Sequence, residues 1–131
     1  MNGNKVVLDT NILIFISKQQ INIDELLSSY DEFYVSIVTY MEVYGFEFEN
    51  EGEKALIDDF FELVEIVEVN MQIAAKVVEY KKEKRRKIKL PDALILATAN
   101  FMEADLLSDD WDDFMYIDDN IKVLNINELK K

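Results

Sequence analysis

Apolar and polar positions along this chain switch repeatedly between a strand-like and a helix-like period. Lys5-Val6-Val7-Leu8 is a short apolar run, predicting a strand covered on both faces. Asn11 to Ser17 continues as a short helix, and Asp24 to Leu27 reads as a second, with Asn22 as its cap. Glu32 to Val35 is the second strand. Ser36 then caps a helix over Ile37 to Tyr44. A polar break at Phe48 to Gly52 leads into a helix from Glu53 to Leu63, with Ala55, Leu56, Phe60 and Leu63 at helical spacing. Val64 to Val69 alternates as a strand. Asn70 caps a helix whose buried stripe is read as Ile73, Ala74, Val77 and Val78, with Tyr80 beside it. Pro91 stands at the first position of the next helix, which is apolar nearly all round and therefore central. Asp105 to Ser108 and Lys122 to Ile126 are the last strands, and Glu128 to Lys131 a frayed end. Strands alternating with helices predict a single α/β domain over residues 1–131, with a parallel or mostly parallel sheet.

This framework puts acids at informative places. Asp9 ends the first strand, where open α/β sheets bind ligands, although Asp9 or Thr10 also serves as a plain helix cap. Glu42 shares a helix face with Val38 and Phe46 and needs a partner if buried; pointing to solvent beside Glu47 and Glu49 is the alternative. Asp92 lies in the first turn of its helix, where the dipole favours the ionised form. Asp109, Asp110, Asp112 and Asp113 follow the strand that ends at Ser108. In a parallel sheet these ends face one edge. Carboxylates gathered there repel one another unless protons or cations intervene, and oxygen-only ligands suit Mg²⁺ or Mn²⁺.

Composition narrows the chemistry further. The 131 residues contain no histidine and no cysteine, which removes a serine–histidine triad, a histidine base, imidazole or thiolate zinc sites and disulfides. No apolar run is long enough to span a bilayer and no signal-peptide pattern opens the chain, so a cytoplasmic location without membrane attachment is expected. The net charge of -13 repels nucleic acid on average. The average hides a reversal: Lys81 to Lys89 holds half of the 14 lysines and arginines. Cations favour a helix C-terminus, which accounts for two or three of them; the rest predict a patch that contacts phosphates.

Four stretches taken in order resemble the PIN-domain family, and within it the small VapC-type toxin ribonucleases of toxin–antitoxin pairs. They are Val7-Leu8-Asp9-Thr10-Asn11, Ser36 to Val43, Leu90-Pro91-Asp92-Ala93-Leu94-Ile95-Leu96-Ala97-Thr98-Ala99, and Leu106 to Phe114. Together they cover nearly the whole chain. The resemblance implies a three-layer α/β/α sandwich, a Mg²⁺- or Mn²⁺-dependent site, and hydrolysis of RNA to 5′-phosphate and 3′-hydroxyl ends. It also implies a homodimer. By position, Asp9, Glu42 and Asp92 match the family's acids and Asp110 the fourth, with Asp113 a second candidate. Thr10 and Ser108 match hydroxyls beside the metal, and Asn11 a residue that holds the site's loops by hydrogen bonds. The acid-rich tail departs from the pattern by leaving the fourth ligand ambiguous among Asp109, Asp110, Asp112 and Asp113.

The expected function is thus a metal-dependent endoribonuclease, the toxin of a type II pair. Asp9, Glu42, Asp92 and Asp110 are its catalytic and metal-holding acids, with Asp113 as a further metal ligand. Lys82, Arg85 and Arg86 approach RNA phosphates. A protein antitoxin would silence the site by inserting a basic side chain. Two rivals remain: a non-catalytic PIN-like module that binds RNA or protein, and a phosphoryl-accepting receiver domain. The receiver needs an acid pair on the first strand and an acceptor aspartate after a middle strand, where this chain offers only Asp9 and Val69-Asn70.

Overall fold

The computed structural model describes residues 4–83 and 87–129. β1 (Lys5–Leu8) lies in the middle of a five-stranded sheet because its side chains are apolar on both faces. β2 (Glu32–Ser36) and β4 (Asp105–Ser108) flank it, and β3 (Val64–Val67) and β5 (Val123–Asn125) form the edges. Every pairing is parallel, so all carboxyl ends share one edge.

Period two in β1 divides the core. Val7 points to the layer containing α5 (Met71–Lys82) and α6 (Leu90–Met102). Val6 and Leu8 point to the opposite layer, with α1 (Thr10–Ser17), α2 (Ile23–Ser29) and α4 (Glu51–Phe61). α3 (Ile37–Tyr44) sends Val43 into the second layer while Val38 packs on the first. It therefore sits at the seam where the acids lie. Gly45 ends α3, and a Cβ there would stand 2.9 Å from the Met41 carbonyl oxygen, too close for another residue without a shift. The apolar helix α6 buries Ile95 and Leu96 almost completely. Burial of a side chain of that size contributes about 1.5–3 kcal/mol, which anchors the middle of α6 against the sheet.

The expected α/β/α architecture is present, with differences confined to boundaries and stripes. Asn50 caps α4, whose first residue is Glu51, so Gly52 is helical and Leu63 lies beyond the last turn, 56% exposed. Its buried positions are Ile57 and Phe60, whereas Ala55 is exposed. An N-cap oxygen on Asn50, bonded to the Glu53 amide at 2.9 Å, overrides the break suggested by Gly52. On α5 the buried residues are Ile73, Val77 and Tyr80, while Val78 is 53% exposed. The Tyr80 ring supplies more burial, and its hydroxyl reaches Asp118. β3 stops at Val67 and leaves Val69 exposed. Pro91 is the second residue of α6, after Leu90. β5 is shorter than Lys122 to Ile126, and Ile126–Leu129 form a 3₁₀ turn that takes in Ile126 from the expected strand and Glu128 from the expected frayed end, whose residues 130–131 lie outside the described ones.

Candidate active site

The strand order β3-β2-β1-β4-β5 reverses direction at β1 and β4, whose carboxyl ends therefore open a crevice. Asp9 lies at one side of it and Ser108 at the other. The Asp9 amide continues the ladder to the Leu107 carbonyl at 3.0 Å. The Asp9 carboxylate then accepts from the Thr10 amide at 2.8 Å and from the Ser108 hydroxyl at 2.7 Å. It caps α1 and joins the two strand ends at once. Ser108 also accepts from the Asp110 amide at 2.9 Å, which turns the chain after β4 back over the crevice.

Three further elements deliver the other groups. The Asn11 side-chain amide donates to the Asp110 carboxylate at 2.7 Å, tying α1 to that turn. The Asp113 amide donates to the Asp110 carbonyl at 2.9 Å, so both acids lie on one tight turn. From α3, Glu42 projects into solvent but accepts from the Thr10 hydroxyl at 2.6 Å. Of the two environments open to Glu42, it occupies the solvent-facing one, with its carboxylate bonded to Thr10 at the crevice. Asp92, half-buried in the first turn of α6, completes the group.

The electrostatics report the convergence. Burial pushes the Asp9 carboxyl up to about 6, aided by the charges of Asp92 and Asp110 and opposed by its two hydrogen bonds. Asp92 is also raised, first by burial and then by Asp113, Glu42 and Asp110, against an opposing effect of Lys89. A helix start favours ionised Asp92, but burial and like charge outweigh it. Asp9, Glu42, Asp92, Asp110 and Asp113 thus share one field, although they come from β1, α3, α6 and the turn after β4.

The donor set is all oxygen, anionic and open to water on the Glu42 and Asp110 side. That chemistry fits a hard divalent cation that retains several waters and takes few protein ligands. Among the described residues no three acids stand close enough to enclose an ion by themselves. Asp9, Asp92, Glu42 and Asp110 are the residues whose charges a cation would neutralise.

The predicted supporting groups Thr10, Asn11 and Ser108 are all in this network. Lys82 is exposed on the last turn of α5 and contacts none of the acids among the described residues; Arg85 and Arg86 lie outside the described residues. Two residues were overlooked. Buried Thr39 sets its hydroxyl 3.4 Å from that of Thr10. Its spacing of three from Glu42 on α3 was the available signal. Lys89, directly before α6, carries the charge that acts on Asp92.

No helix among the described residues is long and apolar enough to cross a membrane. A PIN-domain family model matches residues 6–120. No curated protein matches the chain. Among solved structures, a toxin–antitoxin complex from Klebsiella pneumoniae is 27% identical, with a TM-score of 0.75 over 92% of this chain and 96% of its own. VapBC-1 from nontypeable Haemophilus influenzae is 25% identical, with a TM-score of 0.75 over 94% and 98%. VapBC2 from Rickettsia felis, bound to a DNA fragment from its promoter, shares the fold at 24% identity, with a TM-score of 0.76 over 92% and 98%. With a family match across nearly its full length and an acid-lined crevice at the switch of its parallel sheet, this chain belongs to the PIN-domain family.

Proposed function

We propose that this chain is a Mg²⁺- or Mn²⁺-dependent endoribonuclease acting in the cytoplasm as the toxin of a toxin–antitoxin pair. The observation that carries the reading is the shared field of Asp9, Glu42, Asp92, Asp110 and Asp113 at the strand-order switch. Mutual repulsion of this kind has no structural use and is relieved by a divalent cation. When bound, such an ion supplies a hydroxide-like nucleophile and neutralises charge on a phosphodiester.

The chain's own groups do the positioning. Ser108 and the Thr10 amide hold both oxygens of Asp9 in fixed directions. Thr10 orients Glu42, and Asn11 orients Asp110, so each acid presents a preset lone pair. Asp110 faces water and is suited to orient the attacking molecule toward the phosphorus. Lys82, Arg85 and Arg86 attract the RNA backbone.

An antitoxin partner is favoured by the toxin–antitoxin complexes that resemble this chain. An apolar hollow of about 320 Å³, lined by Ile16, Ile21, Leu27, Leu56 and Phe60, offers such a partner surface. A homodimer would cover exposed Tyr40, Met71 and Phe101.

The open spacing of the acids favours a second reading, a non-catalytic RNA- or protein-binding module. One experiment separates the two. Protein prepared free of metal should cleave RNA only after Mg²⁺ or Mn²⁺ is added, and EDTA should stop it. Cleavage that continues in EDTA rejects the mechanism, and no cleavage with either ion leaves the binding module.

A further inference from the structure

Five of the six α-helices described are capped by a side-chain oxygen, from Asp9, Asn22, Ser36, Asn50 and Asn70. α6 is the exception. Its N-cap is Lys89, which makes no capping hydrogen bond. Lysine has no acceptor to offer the free amides and sets a positive charge on the positive end of the helix dipole. Local stability therefore disfavours this residue here, and a rule broken beside a site calls for a use.

The surroundings show how Lys89 is held. Ile88 is buried in the core, and its carbonyl accepts from the Lys81 ammonium at 2.7 Å. The Lys89 carbonyl accepts from the Ala93 amide at 2.9 Å. The end of the basic segment is thereby pinned on both sides of Lys89. Asp92 is the third residue of α6, the position whose side chain reaches back toward the N-cap residue. Lys89 is exposed and has no hydrogen bond or ion pair from its ammonium group among the described residues. Its charge nevertheless acts on Asp92 against those of Asp113, Glu42 and Asp110.

A polyanion approaching this crevice meets several carboxylates on a chain of net charge -13. Lys89, without a hydrogen bond or ion pair among the described residues, is a cation beside these acids that can compensate the repulsion. We infer that Lys89 contacts an RNA phosphate directly beside Asp9, Glu42, Asp92 and Asp110, and so links the basic segment to the reacting centre. This rests on the nuclease reading above and adds a substrate-contacting residue to it.

The test compares Lys89→Gln and Lys89→Arg with the unmodified protein. Anisotropy of a labelled single-stranded RNA in Ca²⁺ buffer gives affinity and its salt dependence; cleavage in Mg²⁺ gives kcat and KM. Lys89→Gln should weaken affinity and kcat/KM by about ten- to a hundredfold, as expected for a lost charge-assisted contact. It should also lower the salt slope by about 0.7. Lys89→Arg should restore most of both. Mn²⁺ titration of Lys89→Gln should show binding at least as tight as in the unmodified protein, since a nearby positive charge is gone. Unchanged RNA affinity and salt slope, equal losses in both variants, or weaker Mn²⁺ binding would each overturn the inference. An unmodified protein that binds RNA through Lys89 yet cleaves nothing in Mg²⁺ or Mn²⁺ would overturn the nuclease reading alone.

Discussion

Asp9, directly after β1, and Asp105, the first residue of neighbouring β4, are buried aspartates, 6% and 5% exposed, at opposite ends of the sheet. Burial raises the carboxyl of both. Their neighbours differ in sign. Asp105 has the Tyr30 hydroxyl at 3.4 Å and the opposing charge of Lys122. Asp9 has two hydrogen-bond donors but also the charges of Asp92 and Asp110, which add to the cost of ionising it. Asp105 thus has an opposite charge beside it within the protein, whereas the charges that act on Asp9 are all of its own sign. Burial alone does not mark a site; the sign of the surrounding charge does.

The largest expected effect breaks that contrast by activity. Asp9→Asn should lower RNA cleavage by at least about a hundredfold, because groups acting as a unit are strongly non-additive. Asp105→Asn, at the far end of the sheet, should leave kcat/KM within about threefold of the unmodified protein, since no reacting group lies there. Single-turnover rates under saturating Mg²⁺ decide it, and equal losses from both substitutions would end the distinction. Asp110→Asn and Asp113→Asn, assayed the same way, identify the fourth acid as the one whose loss costs more.

A second effect concerns stability and pH. The Asp9 carboxyl lies at about 6 when folded, against 3.8 as the ordinary value. A raised folded value stabilises the protein fully at acid pH below the ordinary value, and that contribution is lost as pH rises through about 6. The loss amounts to about 3 kcal/mol. Metal-free protein should thus be more stable near pH 4 than near pH 7 as far as Asp9 is concerned. Asp9→Asn should raise the metal-free Tm at neutral pH, less the weakened bond to Ser108. Mg²⁺ or Mn²⁺ should raise the Tm of the unmodified protein more at pH 7 than at pH 5, and Asp9→Asn should shrink that increment. Thermal melts across pH with and without metal measure all three. A lower metal-free Tm for Asp9→Asn, with the metal response intact, would make Asp9 a helix cap only.

The smallest effect sharpens the other side. Lys122→Met removes the charge that opposes the rise of Asp105. Because Lys122 is exposed, solvent screening limits the effect to about 0.2–1 kcal/mol of lost stability at neutral pH. The difference should vanish at acid pH, where Asp105 is protonated. Urea unfolding at two pH values detects it, and a pH-independent loss would assign the effect to packing.

Local pattern determined much of this molecule. The apolar run Val6-Val7-Leu8 specified a doubly covered strand, and Asn22, Ser36 and Asn70 specified helix starts, because caps and periodicity act between residues close in sequence. The acids at Asp9, Glu42 and Asp92, and the hydroxyls and amide at Ser108, Thr10 and Asn11, were legible as candidates for the same reason. Their bonding was not. The partner of exposed Glu42 is Thr10, 32 residues away in sequence, and the Asn11 bond to Asp110 joins residues 99 apart. On α4 and α5 Phe60, Ile73 and Val77 are buried as the spacing predicts, but Ile57 and Tyr80 replace Ala55 and Val78, because one helical period allows several adjacent stripes and only packing across the core chooses among them. Only the tertiary structure set Asp9 among like charges and Asp105 beside Lys122. Strand order decides which carboxylates meet, and electrostatic energy depends on separations in space that the order of residues along a chain does not contain.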